Sequence, residues 1–143
     1  MQMFRMDEAR QASPVGWGVQ ALLLADPADD RLAAGVARFG VRLTHEGELY
    51  AALSAIADDP AEWGLLVVDC DRFGGLAAVQ RALALLGEDA RRVPTILISA
   101  DCAAQEFPED RHSPIRLRGP VSSLALRVGT EHALRDRLVW RAA

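Results

Sequence analysis

The chain has 143 residues, which suits one compact domain, and half of its residues are hydrophobic while a quarter are charged. This balance is typical of a globular protein and excludes a chain that is disordered throughout. The chain has 16 basic residues, all of them arginine, and 20 acidic residues. The charge is uneven, because residues 1–110 hold 9 arginines and 18 acids, whereas residues 111–143 hold 7 arginines and 2 acids. We interpret the basic segment as a solvated face, with a docking surface for an acidic partner as the alternative.

Membrane and secretory classes are not indicated. No stretch approaches the roughly 20 apolar residues of a membrane helix, and charges interrupt the N-terminus where a signal peptide is apolar. The two cysteines, Cys70 and Cys102, form neither a CxxC motif nor a Cys/His cluster, so no disulfide framework or zinc site is indicated. We predict a cytoplasmic protein with two unrelated, partly buried thiols; a redox-sensing pair is the alternative.

The first part of the chain predicts strands alternating with helices. Residues 1–18 show no clear period and end in glycine and proline, so we predict an N-terminal extension over 1–18 and one domain over 19–143. Apolar runs and helical spacing then alternate: a strand over 19–25, a helix from Asp29-Asp30 to Gly40, a strand over 41–44, a helix from Glu48 to Asp58, a strand over 63–69, a helix over 76–86 and a strand over 95–99.

The pattern weakens after residue 99. Residues 101–113 are polar, contain Pro108 and favour at most a short helix. Residues 115–117 predict a fifth, edge-like strand. A final helix is predicted from Ser122 or Ser123 to about Trp140, with a break at Gly129-Thr130 as the alternative.

Short apolar strands that alternate with amphipathic helices are typical of a parallel sheet covered on both faces, with right-handed crossovers. Five such units predict a small doubly wound α/β domain. Ligands and chemistry in such sheets lie beyond the carboxyl ends of the strands. Asp26, Asp69 and Ser99 stand at three of these ends.

Four segments together resemble a known family. They are Leu22-Leu23-Leu24-Ala25-Asp26, Leu65-Leu66-Val67-Val68-Asp69, Val93-Pro94-Thr95-Ile96-Leu97-Ile98-Ser99-Ala100 and Leu117-Arg118-Gly119-Pro120. In this order and spacing the chain is similar, from Val19 onward, to the receiver domain of bacterial two-component response regulators. The resemblance implies a flavodoxin-like, three-layer α/β/α fold whose five-stranded parallel sheet has the order 2-1-3-4-5.

The resemblance also implies roles for single residues. Asp69 takes the position of the aspartate that accepts a phosphoryl group from a histidine kinase. Ser99 takes the position of the switch hydroxyl that stabilises this group. Gly119 and Pro120 take the positions of a lysine and of the cis-proline that follows it.

The site implied by the resemblance lacks residues that would hold or supply positive charge. Receiver domains hold Mg²⁺ with carboxylates, and the candidates here are Asp26, Asp69 and Asp71. However, Pro27 follows Asp26 where the family carries a second acid, and the chain contains no lysine to replace the one missing at Gly119. We therefore expect no resident cofactor, with Mg²⁺ as the alternative.

These observations favour a non-enzymatic signalling module, an atypical receiver that acts through protein contacts without phosphorylation. One alternative is an Mg²⁺-dependent phosphoacceptor modified at Asp69 by a histidine kinase, and another is the regulatory domain of a transcription factor. The expected partner is a protein: a histidine kinase, a regulatory protein, or a second copy bound through the last strand and helix. Direct contact with nucleic acid or a membrane is not indicated.

Overall fold

The structure, a computed structural model, describes residues 15–135. Five strands form one sheet: β1 (Gln20–Leu24), β2 (Arg42–Glu46), β3 (Leu65–Asp69), β4 (Thr95–Ser99) and β5 (Ile115–Arg118). All neighbouring strands are parallel and the order is β2-β1-β3-β4-β5. The predicted α/β fold and strand order are therefore confirmed.

Helices cover both faces of this sheet. They are α1 (Asp30–Ala37), α2 (Leu49–Asp58), α3 (Leu76–Ala84), the short α4 (Glu88–Arg92) and α5 (Ser123–Ala133). The side chains of Asp29, Glu48 and Ser122 accept backbone N–H groups at the starts of α1, α2 and α5. Each of these caps satisfies donors that have no partner within the helix, which fixes where the helix begins.

The core has two layers because side chains alternate along each buried strand. One layer packs alternate residues of the strands against α1 and α5, with Val36 and Leu126 as buried contacts from these helices. The other layer packs the remaining strand residues against α2 and α3, with Ile56 and Val79 as buried contacts. β1 and β3 are apolar on both faces, as strands inside a parallel sheet must be.

Two regions differ from the sequence-based expectation. The helix predicted over 76–86 ends at Ala84, and the separate α4 follows Gly87, whose positive φ of 58° turns the chain. The alternative of a break at Gly129-Thr130 is wrong, since α5 continues through both residues. A Cβ added at Gly129 would lie 3.2 Å from Leu117 Cδ1, so glycine allows the helix to pass close to β5. The predicted continuation of this helix to Trp140 lies outside the described residues.

The connection from β4 to β5 contains no helix within residues 100–114. It runs instead as an irregular segment that pairs once with the outer edge of β5. Glu106 N–H donates to the Arg116 carbonyl at 2.8 Å, and Arg116 N–H donates to the Glu106 carbonyl at 3.1 Å. Their side chains also form an ion pair at 3.4 Å.

The described part of the predicted extension, residues 15–18, forms a turn against the domain. Gly16 N–H donates to the Phe39 carbonyl at 2.7 Å, and a Cβ at Gly16 would overlap this carbonyl and the Val41 side chain. Residues 1–14 of the predicted extension lie outside the described part. Within residues 15–135, no helix is long and apolar enough to cross a membrane.

Candidate functional site

The carboxyl ends of the parallel strands meet at one edge of the sheet, where a cleft of about 430 Å³ opens. Strand pairing aligns Asp69 with Ile98 and Ser99 with Arg118, and Gly119 N–H donates to the Ser99 carbonyl at 3.0 Å. Four of the site residues expected from the sequence line this cleft: Asp69, Asp71, Gly119 and Pro120. The Gly119–Pro120 peptide bond is cis.

A tight turn after β3 carries Asp71 to the end of β4. The turn is one of 3-10 helix, Cys70–Phe73, and it ends in Gly74 and Gly75, whose φ angles of 94° and 99° favour glycine. This pair of glycines explains why the chain turns so sharply after the strand-end aspartate. The consequence is that a carboxylate two residues beyond Asp69 reaches the neighbouring strand.

Asp71 uses both carboxylate oxygens as acceptors at the end of β4. Oδ1 accepts the Ser99 hydroxyl at 2.6 Å, and Oδ2 accepts Ala100 N–H at 2.9 Å. The Ser99 hydroxyl, whose residue is only 1% exposed, also accepts Asp101 N–H at 3.0 Å. The hydroxyl at the predicted switch position is thus fully engaged, with a carboxylate on its donor side.

Asp69 is the opposite case, since its half-buried carboxylate accepts no hydrogen bond from the described residues. Burial raises the pKa of the Asp69 carboxyl, and the negative charges of Asp71 and Asp29 raise it further. The Arg72 guanidinium acts in the opposite direction and lowers this pKa.

Asp26, at the end of β1, is engaged elsewhere. Its Oδ1 accepts the N–H of Ala28 at 3.0 Å, and its Oδ2 lies 3.5 Å from the Arg72 guanidinium. The role of Arg72 in the site was not predicted from the sequence. Its position three residues after Asp69 was the one available signal in the sequence. The contact with Asp26 joins residues 46 positions apart, so it depends on the tertiary fold.

The acids predicted as magnesium ligands make different contacts. Among residues 15–135, no group of three His, Cys, Asp or Glu side chains is placed to hold a metal ion. Asp71 bonds Ser99 and Ala100, Asp26 pairs with Arg72, and Asp69 lies close enough to Asp71 and Arg72 for their charges to act on its pKa. A bound Mg²⁺ would therefore be held by one or two of these carboxylates together with water.

Gly119 leaves room where the resemblance places a lysine. A Cβ added there would lie 3.4 Å from Ala100 N, an ordinary van der Waals contact. The neighbouring Arg118 is exposed at the end of β5, and the arginine that lowers the pKa of Asp69 is Arg72. The cleft therefore has space for a cationic side chain but carries Asp29, Asp69 and Asp71 on its walls.

Both cysteines lie near this edge as buried, free thiols. Burial raises the pKa of the Cys70 thiol to about 12 and also raises that of Cys102. Because the thiolate is the reactive form, these environments favour unreactive thiols.

No family model matches the chain. No curated protein sequence matches it significantly. Among solved structures, NtrX from Brucella abortus, crystallised in complex with ADP, superposes with a TM-score of 0.60 at 19% sequence identity. NtrX is a response regulator. The fold is receiver-like.

The superposition covers 86% of this chain but only 28% of NtrX, so the chain spans little more than a quarter of that protein's length. At 19% identity the likeness concerns the fold and carries no residue roles. What the site does must therefore be argued from its own geometry.

Proposed function

We propose that this chain is an atypical receiver, a non-enzymatic signalling module that acts through protein contacts without phosphorylation of Asp69. The observation that supports this most is the pair of hydrogen bonds from Ser99 and Ala100 to Asp71. Phosphoryl transfer to an aspartate relies on positioned donors and cations that neutralise the transferred oxygens. Here a carboxylate of the chain itself already occupies two such donors.

The charge around Asp69 supports the same proposal. Burial together with the negative charges of Asp71 and Asp29 already makes the ionised form of Asp69 unfavourable, and this raises the pKa of its carboxyl. A phosphoryl group would add further negative charge between these acids. The chain has no lysine to neutralise it, and Arg72 divides its charge between Asp69 and Asp26.

The competing function, an Mg²⁺-dependent phosphoacceptor, is tested by incubating the full chain with Mg²⁺ and acetyl phosphate. Intact-mass spectrometry measures the phosphoryl adduct, and beryllofluoride replaces acetyl phosphate in a parallel fluorescence titration. We expect neither an adduct nor a fluorescence change. An adduct or a change that Asp69→Asn abolishes would refute the proposal and favour phosphorylation by a histidine kinase.

A rebuilt site provides the matched control for this experiment. Pro27→Asp restores the second acid after β1, Gly119→Lys restores the lysine, and Asp71→Ala frees the Ser99 hydroxyl. If the missing groups are what prevents the chemistry, the triple variant binds beryllofluoride in the presence of Mg²⁺ while the unaltered chain does not.

For the partner, we propose a second copy of the chain bound through α5. Leu124 and Val128 lie one turn apart on this helix and are 69% and 40% exposed. Arg127 and Glu131 form an ion pair at 3.2 Å on the same helix. Two antiparallel copies of α5 would bury the apolar pair and exchange these charges in a self-complementary way.

Sedimentation velocity over a range of concentrations measures this association. We expect a reversible dimer that Leu124→Glu dissociates, whereas Tyr50→Glu, which alters another exposed apolar residue, leaves it intact. A chain that stays monomeric at about millimolar concentration contradicts the dimer and leaves a different protein, such as a kinase or regulatory protein, as the expected partner.

A role as the regulatory domain of a transcription factor is the remaining alternative. It is supported only by the greater length of NtrX, of which the matched region is 28%. The cytoplasmic location inferred from the sequence stays a prediction.

A further inference from the structure

A second cavity lies on the opposite face of the sheet from α1 and α5, and it shares no lining residue with the Asp69 cleft. It is a pocket of about 200 Å³ between α2, α3, α4 and the start of β4. Its walls are mainly aliphatic and are formed by Ile56, Leu66, Leu83, Leu86, Val93 and Leu97. We call it the α3 pocket.

The irregular connection over residues 100–114 contributes to the wall of the α3 pocket through His112 and Pro114. A ring nitrogen of His112, Nδ1, donates to the Arg91 carbonyl at 3.0 Å and ties the connection to α4. The pocket wall is thus held in place by a contact between two elements rather than by one exposed loop.

The lining of the α3 pocket also includes polar residues. Arg91, His112 and Gln80 are the residues there with hydrogen-bonding or charged ends, together with Thr95, whose hydroxyl already donates to the Val93 carbonyl at 2.9 Å. The Arg91 side chain is 59% exposed and its ion pair with Glu88 is long, at 3.9 Å. Such an exposed, long ion pair is weak, so a better-placed carboxylate can replace Glu88.

The size of the pocket limits the ligand. A dry cavity of about 150 Å³ lined by aliphatic and aromatic side chains is enough to hold benzene, so about 200 Å³ accommodates one ring and a short substituent. Small-molecule sites combine such apolar walls with a few polar groups that orient the ligand. Here the orienting group is cationic.

We propose that the α3 pocket binds a small monocarboxylic acid with a single aromatic ring. The ring lies among the aliphatic side chains of α3 and β4, and the carboxylate pairs with Arg91. The ligand is therefore of the phenylacetate type, whose single negative charge matches the single guanidinium in the pocket lining. With about ten non-hydrogen atoms, such a ligand binds with a Kd of about 0.1–5 mM.

The test is a titration of the ¹⁵N-labelled full chain with phenylacetate, followed by two-dimensional NMR. We expect shifts at the amides of Leu83, Leu86, Ala90 and Thr95, and none at Asp71 or Ala100. Phenylacetamide, which has the same shape without the charge, is expected to bind about 2–5-fold more weakly, the effect of losing one exposed ion pair.

Two variants locate the ligand. Arg91→Gln is expected to weaken phenylacetate binding about 2–5-fold, while Arg81→Gln, which alters an exposed arginine outside the pocket lining, leaves it unchanged. Ala90→Leu places three more carbon atoms at the pocket wall and is expected to weaken binding more than tenfold. The spectrum of each unliganded variant verifies that it is folded.

Any of three titration results would overturn the proposal, and a fourth comes from the peptide comparison below. The three are no shifts at 20-fold the highest expected Kd, shifts centred on the Asp69 cleft, or equal effects of Arg91→Gln and Arg81→Gln. An acidic peptide with one phenylalanine serves as the comparison. If it binds the same amides more than tenfold more tightly than phenylacetate, the pocket is a docking site for a protein side chain and the small-molecule proposal fails.

Discussion

Two aspartates separated by one residue face the same cleft but differ in almost every physical respect. Asp71 accepts two hydrogen bonds, one from the buried Ser99 hydroxyl at the end of β4 and one from the following Ala100 N–H. Asp69 accepts none from the described residues, and burial and neighbouring acids raise its pKa. The comparison indicates that hydrogen bonds stabilise the negative charge of Asp71, the turn residue. The negative charge of Asp69, at the end of the strand, has no such stabilisation among the described residues.

The strongest test of this comparison removes the Asp71 carboxylate. Asp71→Ala leaves the Ser99 hydroxyl and Ala100 N–H without their acceptor, so we expect a loss of about 1–3 kcal/mol in the free energy of unfolding, measured by urea denaturation. Asp71→Asn retains one acceptor oxygen and is expected to lose about half as much. Glu62→Ala, which removes an exposed carboxylate, serves as the control. If all three variants are equally stable, the two hydrogen bonds do not hold the site together.

Removing the donor is expected to have a smaller effect. Ser99→Ala leaves the exposed Asp71 carboxylate free to bind water, so we expect a loss of about 1 kcal/mol in the same denaturation experiment. Ser113→Ala removes an exposed hydroxyl that bonds Asp110 at 3.0 Å and is expected to be nearly neutral. If Ser113→Ala lowers the free energy of unfolding more than Ser99→Ala does, the Ser99 hydroxyl does not stabilise the fold through Asp71.

Replacing Asp69 is expected to raise the free energy of unfolding, in contrast to the two substitutions above. Because its folded-state pKa is raised, the folded chain holds the carboxyl proton more tightly than the unfolded chain, and this stabilisation is lost as pH rises through the folded pKa. Asp69→Asn removes the unfavourable charge, so at pH 7 we expect a gain of up to about 1 kcal/mol. The gain should shrink as the pH falls toward the ordinary aspartate pKa of 3.8.

Asp110 provides the matched control for this pH dependence. Hydrogen bonds from His112 N–H and the Ser113 hydroxyl lower the pKa of the Asp110 carboxyl. Its charged form is therefore favoured in the folded state, and Asp110→Asn is not expected to stabilise the chain at pH 7. Equal responses of the two variants would show that the difference in environment has no thermodynamic consequence.

The smallest expected effect comes from restoring a cation. Gly119→Lys has space for its Cβ, and an ammonium group beside Asp69 is expected to lower the pKa of that carboxyl and to add a few tenths of a kcal/mol of stability at pH 7. A ¹³C NMR titration of the Asp69 carboxyl measures the pKa. Gly119→Ala separates the effect of the charge from that of the backbone. If both variants give the same pKa, the position of Gly119 does not face Asp69.

Most of the fold followed from the sequence because local patterns there agreed with the tertiary structure. The run Thr95–Ser99 was predicted with its correct bounds, and the capping residues Asp29, Glu48 and Ser122 lay next to the predicted helix starts. α4 was missed because a helix of five residues has no periodic pattern to read. The alternative break in α5 was wrong because packing against β5 outweighs the weak helix propensity of Gly129.

The candidate site was less predictable, since its contacts join residues far apart in the chain. Sequence order placed Asp69 and Ser99 at strand ends, but the bond between Asp71 and Ser99 spans 28 residues and depends on the turn that follows β3. The Arg72–Asp26 pair likewise joins the segments that follow two different strands, β3 and β1. Residue identity could suggest these groups, whereas only the fold decides which of them meet.

The single pairing of Glu106 with Arg116 has a consequence for solubility. A parallel sheet exposes backbone N–H and C=O groups along its two outer strands, and these groups can recruit a strand from another molecule. Along β5 the Glu106 segment occupies such groups at Arg116 and adds a charged pair on the outside. β2 has no comparable cover among the described residues and instead alternates exposed Arg42 and Thr44 with half-buried neighbours over only five residues. The two borders of the sheet therefore resist intermolecular β-aggregation by different means, one by being covered and the other by being short and polar.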